Sequence, residues 1–243
     1  MKILAIIQAR MGSTRLPGKV LRPIEGRPML ERVCERVRRS GAIDGLVVAT
    51  TTEPGDRSIL DECERLRIPV FRGSEHDVLE RYHEAAGHHA ADVVVRITAD
   101  CPLIDPEVID LVVSEFADRS PDYASNTLRR TWPRGLDTEV VTVAALHRAR
   151  REATEPYERV HVTPYVYRHP ELFRLHAVTG EEDHSGARWT VDVAEDLEFV
   201  RAVYRRLAAA GSFSWRDVLD LVASEPEIAE LNRGVCQKQL VEG

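Results

Sequence analysis

Short runs rich in Ile and Val alternate with amphipathic segments through the first half of the chain, and this alternation restricts the fold more than any other feature. Strand-like runs lie at 3–8, 46–51, 69–71 and 92–98, and helical periodicity at 28–39, 56–67, 75–89 and 106–117. Brief apolar runs separated by helices read as βαβ units, and therefore as a mostly parallel, doubly wound sheet. Ser74, with Asp77 three residues on, is placed to cap the third helix, and Ser214 to cap another starting at Trp215. After Ser120 the pattern changes. Strands are expected at 122–128, 136–143 and 172–178 and helices at 143–152 and 157–168, giving a mixed-sheet insertion at about 121–180 within a single domain spanning 1–243. A helix at 194–209, with Leu197, Val200, Val203, Tyr204 and Leu207 on one face, returns to the main layer. The polar stretch TGEEDHSGA at 179–187 has no apolar periodicity and reads as a mobile loop.

A chain of 243 residues can bury a continuous core. Lys and Arg number 33 against 40 Asp and Glu, a net charge of -7, which argues against a sequence-independent grip on nucleic acid or on an anionic membrane. An anionic ligand must therefore meet a local positive patch. The opening apolar run is too short for a signal peptide and no later stretch approaches a membrane span, so a cytoplasmic protein is expected. Cys34, Cys63, Cys101 and Cys236 are scattered without a paired spacing and suggest neither a disulfide framework nor a zinc site.

In open parallel sheets ligands collect at the carboxyl ends of the strands. Charged features fall at such ends: the loop from Gln8 to Lys19, the Asp100 turn, and Asp192 ahead of the 194–209 helix. The loop, in IIQARMGSTRLPGKVL, is not a Walker A motif. Five residues separate Gly12 from Gly18, Val20 stands where a hydroxyl is needed, and Pro17 lacks a donor. It is not a dinucleotide fingerprint either. It does place Arg10, Arg15 and Lys19 together, with Ser13 and Thr14 as donors and Gly12 allowing close backbone approach. Arginine grips phosphate oxygens bidentately and lysine acts as a point charge, so the set suits a triphosphate better than a solvated surface loop. Lys occurs elsewhere only at positions 2 and 238, which makes its presence at 19 informative.

Asp100 and Asp192 supply two carboxylates, the usual protein contribution to Mg²⁺ held on phosphate oxygens. Asp196, at a helix start, reads as a partner of the helix dipole. Asp137 and Glu139 alternate with apolar residues and are expected on one face of a strand. His161, Tyr165 and Arg168 are expected on one helix, at an acceptor site or an interface. His83, His88 and His89 read as surface residues rather than ligands, and Cys101 as a small residue beside a turn.

The same loop, together with FRGSEHDVLERYHEAA, RITADCPLIDPEVID, WPRGLDTEVV, VHVTPYVYRHP and RWTVDVAEDLEFV, resembles a known family in order along most of the chain. These motifs are similar to those of cytidylyltransferases that activate acidic sugars, the acylneuraminate and 3-deoxy-manno-octulosonate enzymes. The resemblance is strongest to the spore coat polysaccharide biosynthesis cytidylyltransferase-like proteins. It implies an α/β, GT-A-like (Rossmann-like) nucleotide-diphospho-sugar transferase fold with a mixed, mostly parallel central sheet flanked by helices. It also implies Mg-dependent transfer of CMP from CTP to a sugar acid or related cell-surface precursor, with release of pyrophosphate. By that resemblance Gln8, Ala9, Arg10, Gly12, Ser13, Arg15, Lys19 and Arg81 bind the nucleotide, and Arg15, Lys19 and Asp100 serve catalysis. Asp100 and Asp192 hold Mg²⁺, Asp137, Glu139 and Arg188 border the acceptor, and a homodimer forms near VHVTPYVYRHP. Val160 stands where the family pattern carries an acidic residue, so no acceptor contact is assigned to it. Competing readings are a GT-A glycosyltransferase, disfavoured because TADCPL offers one Asp where a D-x-D motif is needed, and a non-catalytic nucleotide-binding protein.

Overall fold

The computed structural model describes residues 1–208 and 211–237. The chain opens with β1 (Ile3–Gln8), a hairpin of β2 (Pro23–Ile24) and β3 (Arg27–Pro28), and α1 (Met29–Val37). It continues through β4 (Gly45–Thr51), α2 (Arg57–Leu66), β5 (Val70–Gly73), α3 (Val78–His88), β6 (Val93–Thr98) and α4 (Pro106–Arg119). The second half comprises β7 (Tyr123–Ser125), β8 (Glu139–Thr142), α5 (Val143–Glu152), α6 (Pro156–His161), α7 (Pro164–Arg168) and β9 (Leu175–Ala177). Helices α8 (Ala194–Leu207), α9 (Trp215–Ser224) and α10 (Pro226–Glu230) follow.

Seven strands form one sheet in the order β5-β4-β1-β6-β8-β7-β9. Strands β5, β4, β1 and β6 are parallel; β8 runs against both β6 and β7, and β9 is parallel to β7. The chain winds outward from β1 through β4 to β5, then returns to place β6 on the other side of β1. That reversal is a topological switch point, where the loops leaving two adjacent strands diverge and open a crevice. Gln8 lies opposite Thr98 in register, so the loop after β1 and the turn carrying Asp100 start side by side.

The near-continuous apolar strands follow from burial on both faces. Ile3, Ala5 and Ile7 point into one core, with Val33, Ile59, Ile109 and Val200 from helices on that side. Leu4 and Ile6 point into the other, against Leu79, Tyr82 and Leu146.

Local chemistry moves several boundaries from their expected places. The third helix starts at Val78, not at 75. Asp77 is its N-cap, accepting from Glu80 N at 2.9 Å, while Ser74 Oγ accepts from Asp77 N one turn earlier. The helix expected at 157–168 is two helices, because Pro164 cannot donate a helical hydrogen bond and its ring crowds the preceding turn. Val162 turns between them at φ 76°. His161, Tyr165 and Arg168 therefore do not share a helix. Val162, Tyr165 and Val166 are buried within the chain's own core. The stretch 179–187 has no helix or strand, yet Gly180 N donates to Thr131 Oγ1 and His184 N to Thr131 O. The expected end of α8 at Ala209 lies outside the described residues.

Ile6 is fully buried in the central strand. Replacing it with Ala should cost about 2–5 kcal/mol of stability through lost transfer energy and a residual cavity. A urea titration with an unchanged slope and a lower midpoint is the expected result.

Candidate active site

The loop after β1 is built against the sheet edge rather than left in solvent. Asp56, buried just before α2, accepts from Met11 N at 2.7 Å, Thr50 Oγ1 at 3.0 Å, Thr51 N at 3.2 Å and Thr51 Oγ1 at 2.5 Å. Burial raises the pKa of this carboxyl, but these donors outweigh it and hold the value below the ordinary carboxylate range. The loop closes on itself through Ser13 N and Gly18 N, both donating to Met11 O. Gly18 takes the left-handed region at φ 66°, and the chain then turns directly into the short helical segment Lys19–Leu21.

That turn aims Lys19 inward. Its Nζ donates to Asp100 Oδ2 at 2.7 Å, Val191 O at 2.8 Å and Asp192 Oδ1 at 3.0 Å. Arg15 Nη2 lies 3.0 Å from the same Asp192 Oδ1, and Arg188 Nη2 donates to Asp192 Oδ2 at 2.9 Å. The segment carrying Asp192 is tied to the β6 turn because Val191 N donates to Asp100 O at 2.8 Å. Two acids distant in sequence thus share one cation.

Behind this group Asp196 is fully buried. It accepts from Arg188 Nε at 2.9 Å, Arg188 Nη2 at 3.0 Å, Asn232 Nδ2 at 3.0 Å and Asp192 N at 2.9 Å. It is therefore more than a helix-dipole partner: it fixes both the backbone and the arginine that orient Asp192. The charges in the cluster balance, with Arg15, Lys19 and Arg188 against Asp100, Asp192 and Asp196.

Electrostatics follow from this packing. Burial disfavours the Lys19 ammonium, but Asp100 and Asp192 more than offset it, and its pKa lies above the ordinary value. Burial would raise Asp192, yet Lys19, Arg188 and Arg15 hold its carboxyl down at about 2. Asp100 is also lowered: Lys19 and Thr98 overcome burial and the repulsion from Asp192. Burial and neighbouring Asp100 and Asp137 push the Cys101 thiol well above its usual range, so it stays neutral and is no nucleophile.

The remaining expected site residues divide into those on the crevice and those behind it. Arg10 is half-exposed, with only a loose 4.0 Å pair to Glu75. Ala9 is buried and donates to Ala49 O, and Ser13 Oγ accepts from Leu16 N at 3.3 Å within the loop. Gln8 Oε1 accepts from Arg96 Nη2 at 3.1 Å. Arg81, expected near a base, is buried at 2% exposure, with Nη1 donating to Ser74 O. It shapes the β5–α3 turn from beneath.

Asp137 and Glu139 do not present a shared strand face. Asp137 precedes β8 and is gripped by Arg130 through bonds of 2.5 and 2.8 Å. Glu139 is buried, its oxygens occupied by Arg96, Tyr123 Oη and Thr163 Oγ1, so it stands behind the crevice instead of lining it. Arg188 serves Asp192 and Asp196. Sequence reasoning missed the anchoring by Asp56, the role of Asn232, and the arginines Arg96 and Arg130. Only Asp56 carried a local signal, as the expected start of a helix.

A parallel sheet whose switch point brings loop cations against paired carboxylates is the arrangement of a nucleotidyltransferase. The comparisons agree and are more specific. The cytidylyltransferase family model matches residues 4–237, and the chain belongs to that family. It is 36% identical to the spore coat polysaccharide biosynthesis protein SpsF of Bacillus subtilis, over 93% of this chain and 96% of that protein. It is 38% identical to an uncharacterized protein of Methanocaldococcus jannaschii, over 98% and 97%. A cytidylyltransferase structure from Leptospira borgpetersenii superposes with TM-score 0.91 at 34% identity, covering 98% of this chain and all 100% of that one.

The fold, at TM-score 0.65 and 20% identity, is also that of a CMP:2-keto-3-deoxy-manno-octonic acid synthetase solved with CTP, covering 85% of this chain and 99% of that one. The likeness to that synthetase concerns the fold alone.

Two expectations test this construction. Asp192 has a folded pKa of about 2 against an ordinary 3.8, so its ion pairs stabilise the fold fully above about pH 4 and are lost as pH falls through 2. Asp192→Asn should therefore be less stable than wild type at pH 6 and converge with it towards pH 2 in urea titrations; an equal gap at both would contradict it. Asp56→Ala removes four hydrogen bonds to a buried carboxylate. It should cost about 2–3 kcal/mol and speed hydrogen exchange at the Met11 amide, whereas unchanged exchange there would show that the loop is held by something else.

Proposed function

We propose that this cytidylyltransferase moves CMP from CTP to a sugar acid or related cell-surface precursor, with Mg²⁺, and releases pyrophosphate. The observation that carries the reading is the convergence of Lys19 on Asp100 and Asp192 at the switch point of the sheet. Resemblance to enzymes that act on acidic sugars supports the acceptor class.

The residues suit the metal by donor chemistry. Asp100 and Asp192 offer hard oxygens from two adjacent turns, and Lys19 takes Oδ2 of Asp100 while Oδ1 lies 3.6 Å from the Cys101 thiol. Among the described residues no group of three or more His, Cys, Asp or Glu is arranged to hold a metal. A cation here would take its other ligands from phosphate oxygens and water, as Mg²⁺ commonly does. When bound it supplies charge neutralisation on the phosphates.

The chain's own groups do the rest. Arg10, Arg15 and Lys19 lie on the loop that would face the triphosphate, and these cations lower the cost of charge on the departing pyrophosphate. Arg15 and Lys19 are already positioned by Asp192, so little reorganisation is needed when phosphate oxygens replace part of that contact. The acceptor hydroxyl oxygen attacks the α-phosphorus in line, losing its proton to solvent and forming the new P–O bond as the bond from the α-phosphorus to the α–β bridging oxygen breaks and that oxygen leaves with pyrophosphate.

The deciding experiment measures pyrophosphate released from each nucleoside triphosphate with Mg²⁺ and a panel of sugar acids. Release from CTP with a sugar acid is expected. Consumption of a nucleotide sugar would indicate a glycosyltransferase instead, and binding of CTP without turnover on any acceptor would indicate a regulator.

Lys19→Ala should lower kcat by about 10²-fold or more, the scale of losing a preorganised charge-stabilising donor. Asp100→Asn and Asp192→Asn should each weaken Mg²⁺-dependent turnover, with the double variant little worse than either, because parts of one unit are not additive. Additive losses across that cycle would show that the two acids act separately.

A further inference from the structure

The arginines around the Asp100–Asp192 edge are neutralised within the chain, with one exception. Arg15 reaches Asp192, Arg188 reaches Asp192 and Asp196, and Arg130 grips Asp137 with two bonds. Arg134 is half-buried, yet among the described residues its guanidinium makes no ion pair and no hydrogen bond. The neighbouring Asp137 cannot serve it readily, since both carboxylate oxygens accept from Arg130 and Oδ1 also accepts from Gly135 N.

The backbone that carries this arginine is held firmly in place. Arg134 N donates to Ala187 O at 2.9 Å and Trp189 N donates to Arg134 O at 2.7 Å, so the segment runs as a parallel bridge beside Arg188. Gly135 follows at φ 115°, and a Cβ there would lie 2.7 Å from the Trp189 carbonyl carbon. Only glycine permits that crossing of backbones. The charged and titratable groups around the guanidinium are Arg130, Asp137, Arg188 and the Cys101 thiol, which adjoins Asp100. Burial, with Arg130 adding to it, lowers its pKa. A half-buried cation beside two other arginines is unfavourable alone, and an incoming anion relieves it.

Asp192 divides the crevice. Its Oδ1 faces the loop cations Arg15 and Lys19, and its Oδ2 faces Arg188. Phosphates belong to the loop side, so the anion met by Arg134 on the Arg188 side belongs to the other substrate. A planar guanidinium matches a carboxylate through two parallel hydrogen bonds. We infer that Arg134 binds the carboxylate of the acceptor, an inference that rests on the reading of the acceptor as a sugar acid.

The test follows the side-chain Nε–Hε resonance of Arg134 in full-length protein labelled with ¹⁵N-arginine, assigned by its loss in Arg134→Lys. The probes are pyruvate, its uncharged methyl ester, and inorganic phosphate. Pyruvate should shift the resonance saturably while the ester does not, and phosphate should move Arg15 in preference to Arg134. No shift with pyruvate overturns the inference, and a stronger shift with phosphate replaces the carboxylate with a phosphorylated acceptor. Where a sugar acid supports pyrophosphate release, Arg134→Ala should raise its KM at least about 10-fold with the KM for CTP within about twofold, and Arg134→Lys should recover part of the loss. An unchanged acceptor KM overturns it as well. The two failures separate cleanly: turnover of a sugar acid with a silent Arg134 resonance sinks this assignment alone, and a pyruvate shift without turnover of any sugar acid sinks the proposed reaction alone.

Discussion

The ammonium of Lys19 has three N–H donors, and the structure gives each an acceptor: Asp100 Oδ2, Asp192 Oδ1 and the Val191 carbonyl. Everything at the carboxyl edge of the sheet depends on that group. Two part-buried carboxylates this close repel one another, and burial makes the repulsion stronger. One cation between them turns a liability into a tether joining the β1 loop, the β6 turn and the segment before α8. Arginine could not replace it by charge alone. A guanidinium spreads its donors in a planar fork suited to one carboxylate, whereas a compact ammonium can serve three oxygens around a point. In a chain whose basic residues are otherwise almost all arginine, this geometry accounts for the lysine.

The tether holds because each arm has its own support behind it. Asp56 fixes Met11 and the start of the loop. Asp196 and Asn232 fix Arg188, which fixes Asp192. A further polar layer of Gln8, Arg96, Glu139, Tyr123 and Thr163 lies under the switch point on the opposite face of the sheet. Each of these carboxylates is buried, and each is paired with donors, the condition under which buried charge is tolerated. Binding groups at the edge therefore rest on rigid elements, as a site requires if positioning is to contribute to rate.

The strands and helices of the first half were legible in the sequence because both faces of the sheet are buried and the strands read as unbroken apolar runs. Lys19, Asp100 and Asp192 stood out in the sequence because each follows a strand-like run. In the structure Asp100 lies just past β6, whereas Lys19 opens a short helical segment beyond the β1 loop and Asp192 precedes α8, and all three meet in one cluster. Failures occurred where the deciding contact is long-range. Nothing local distinguishes Glu139, whose oxygens meet Arg96 and Thr163, from an acid on an exposed strand face. Nothing local announces that Arg81 is buried beneath the Ser74 turn. The single helix expected across Pro164 was a local error, since the proline itself signals the break.

The net charge of -7 and a site for anionic substrates are reconciled by the same wiring. The cluster of Arg15, Lys19 and Arg188 with Asp100, Asp192 and Asp196 is neutral as it stands. A neutral cluster does not accumulate phosphate by general attraction, so under the proposed reaction selectivity would fall to exchange of partners, a phosphate taking over contacts that Asp192 now makes with Arg15 and Lys19. As those cations turn to phosphate oxygens, Asp100 and Asp192 are left with excess negative charge in a part-buried position. In the proposed reaction a divalent cation arriving with the triphosphate would restore the balance, and without it the exchange would be opposed by the repulsion that Lys19 had been suppressing. Mg²⁺ dependence is thus expected from the charge balance of the resting site as well as from the chemistry of phosphoryl transfer.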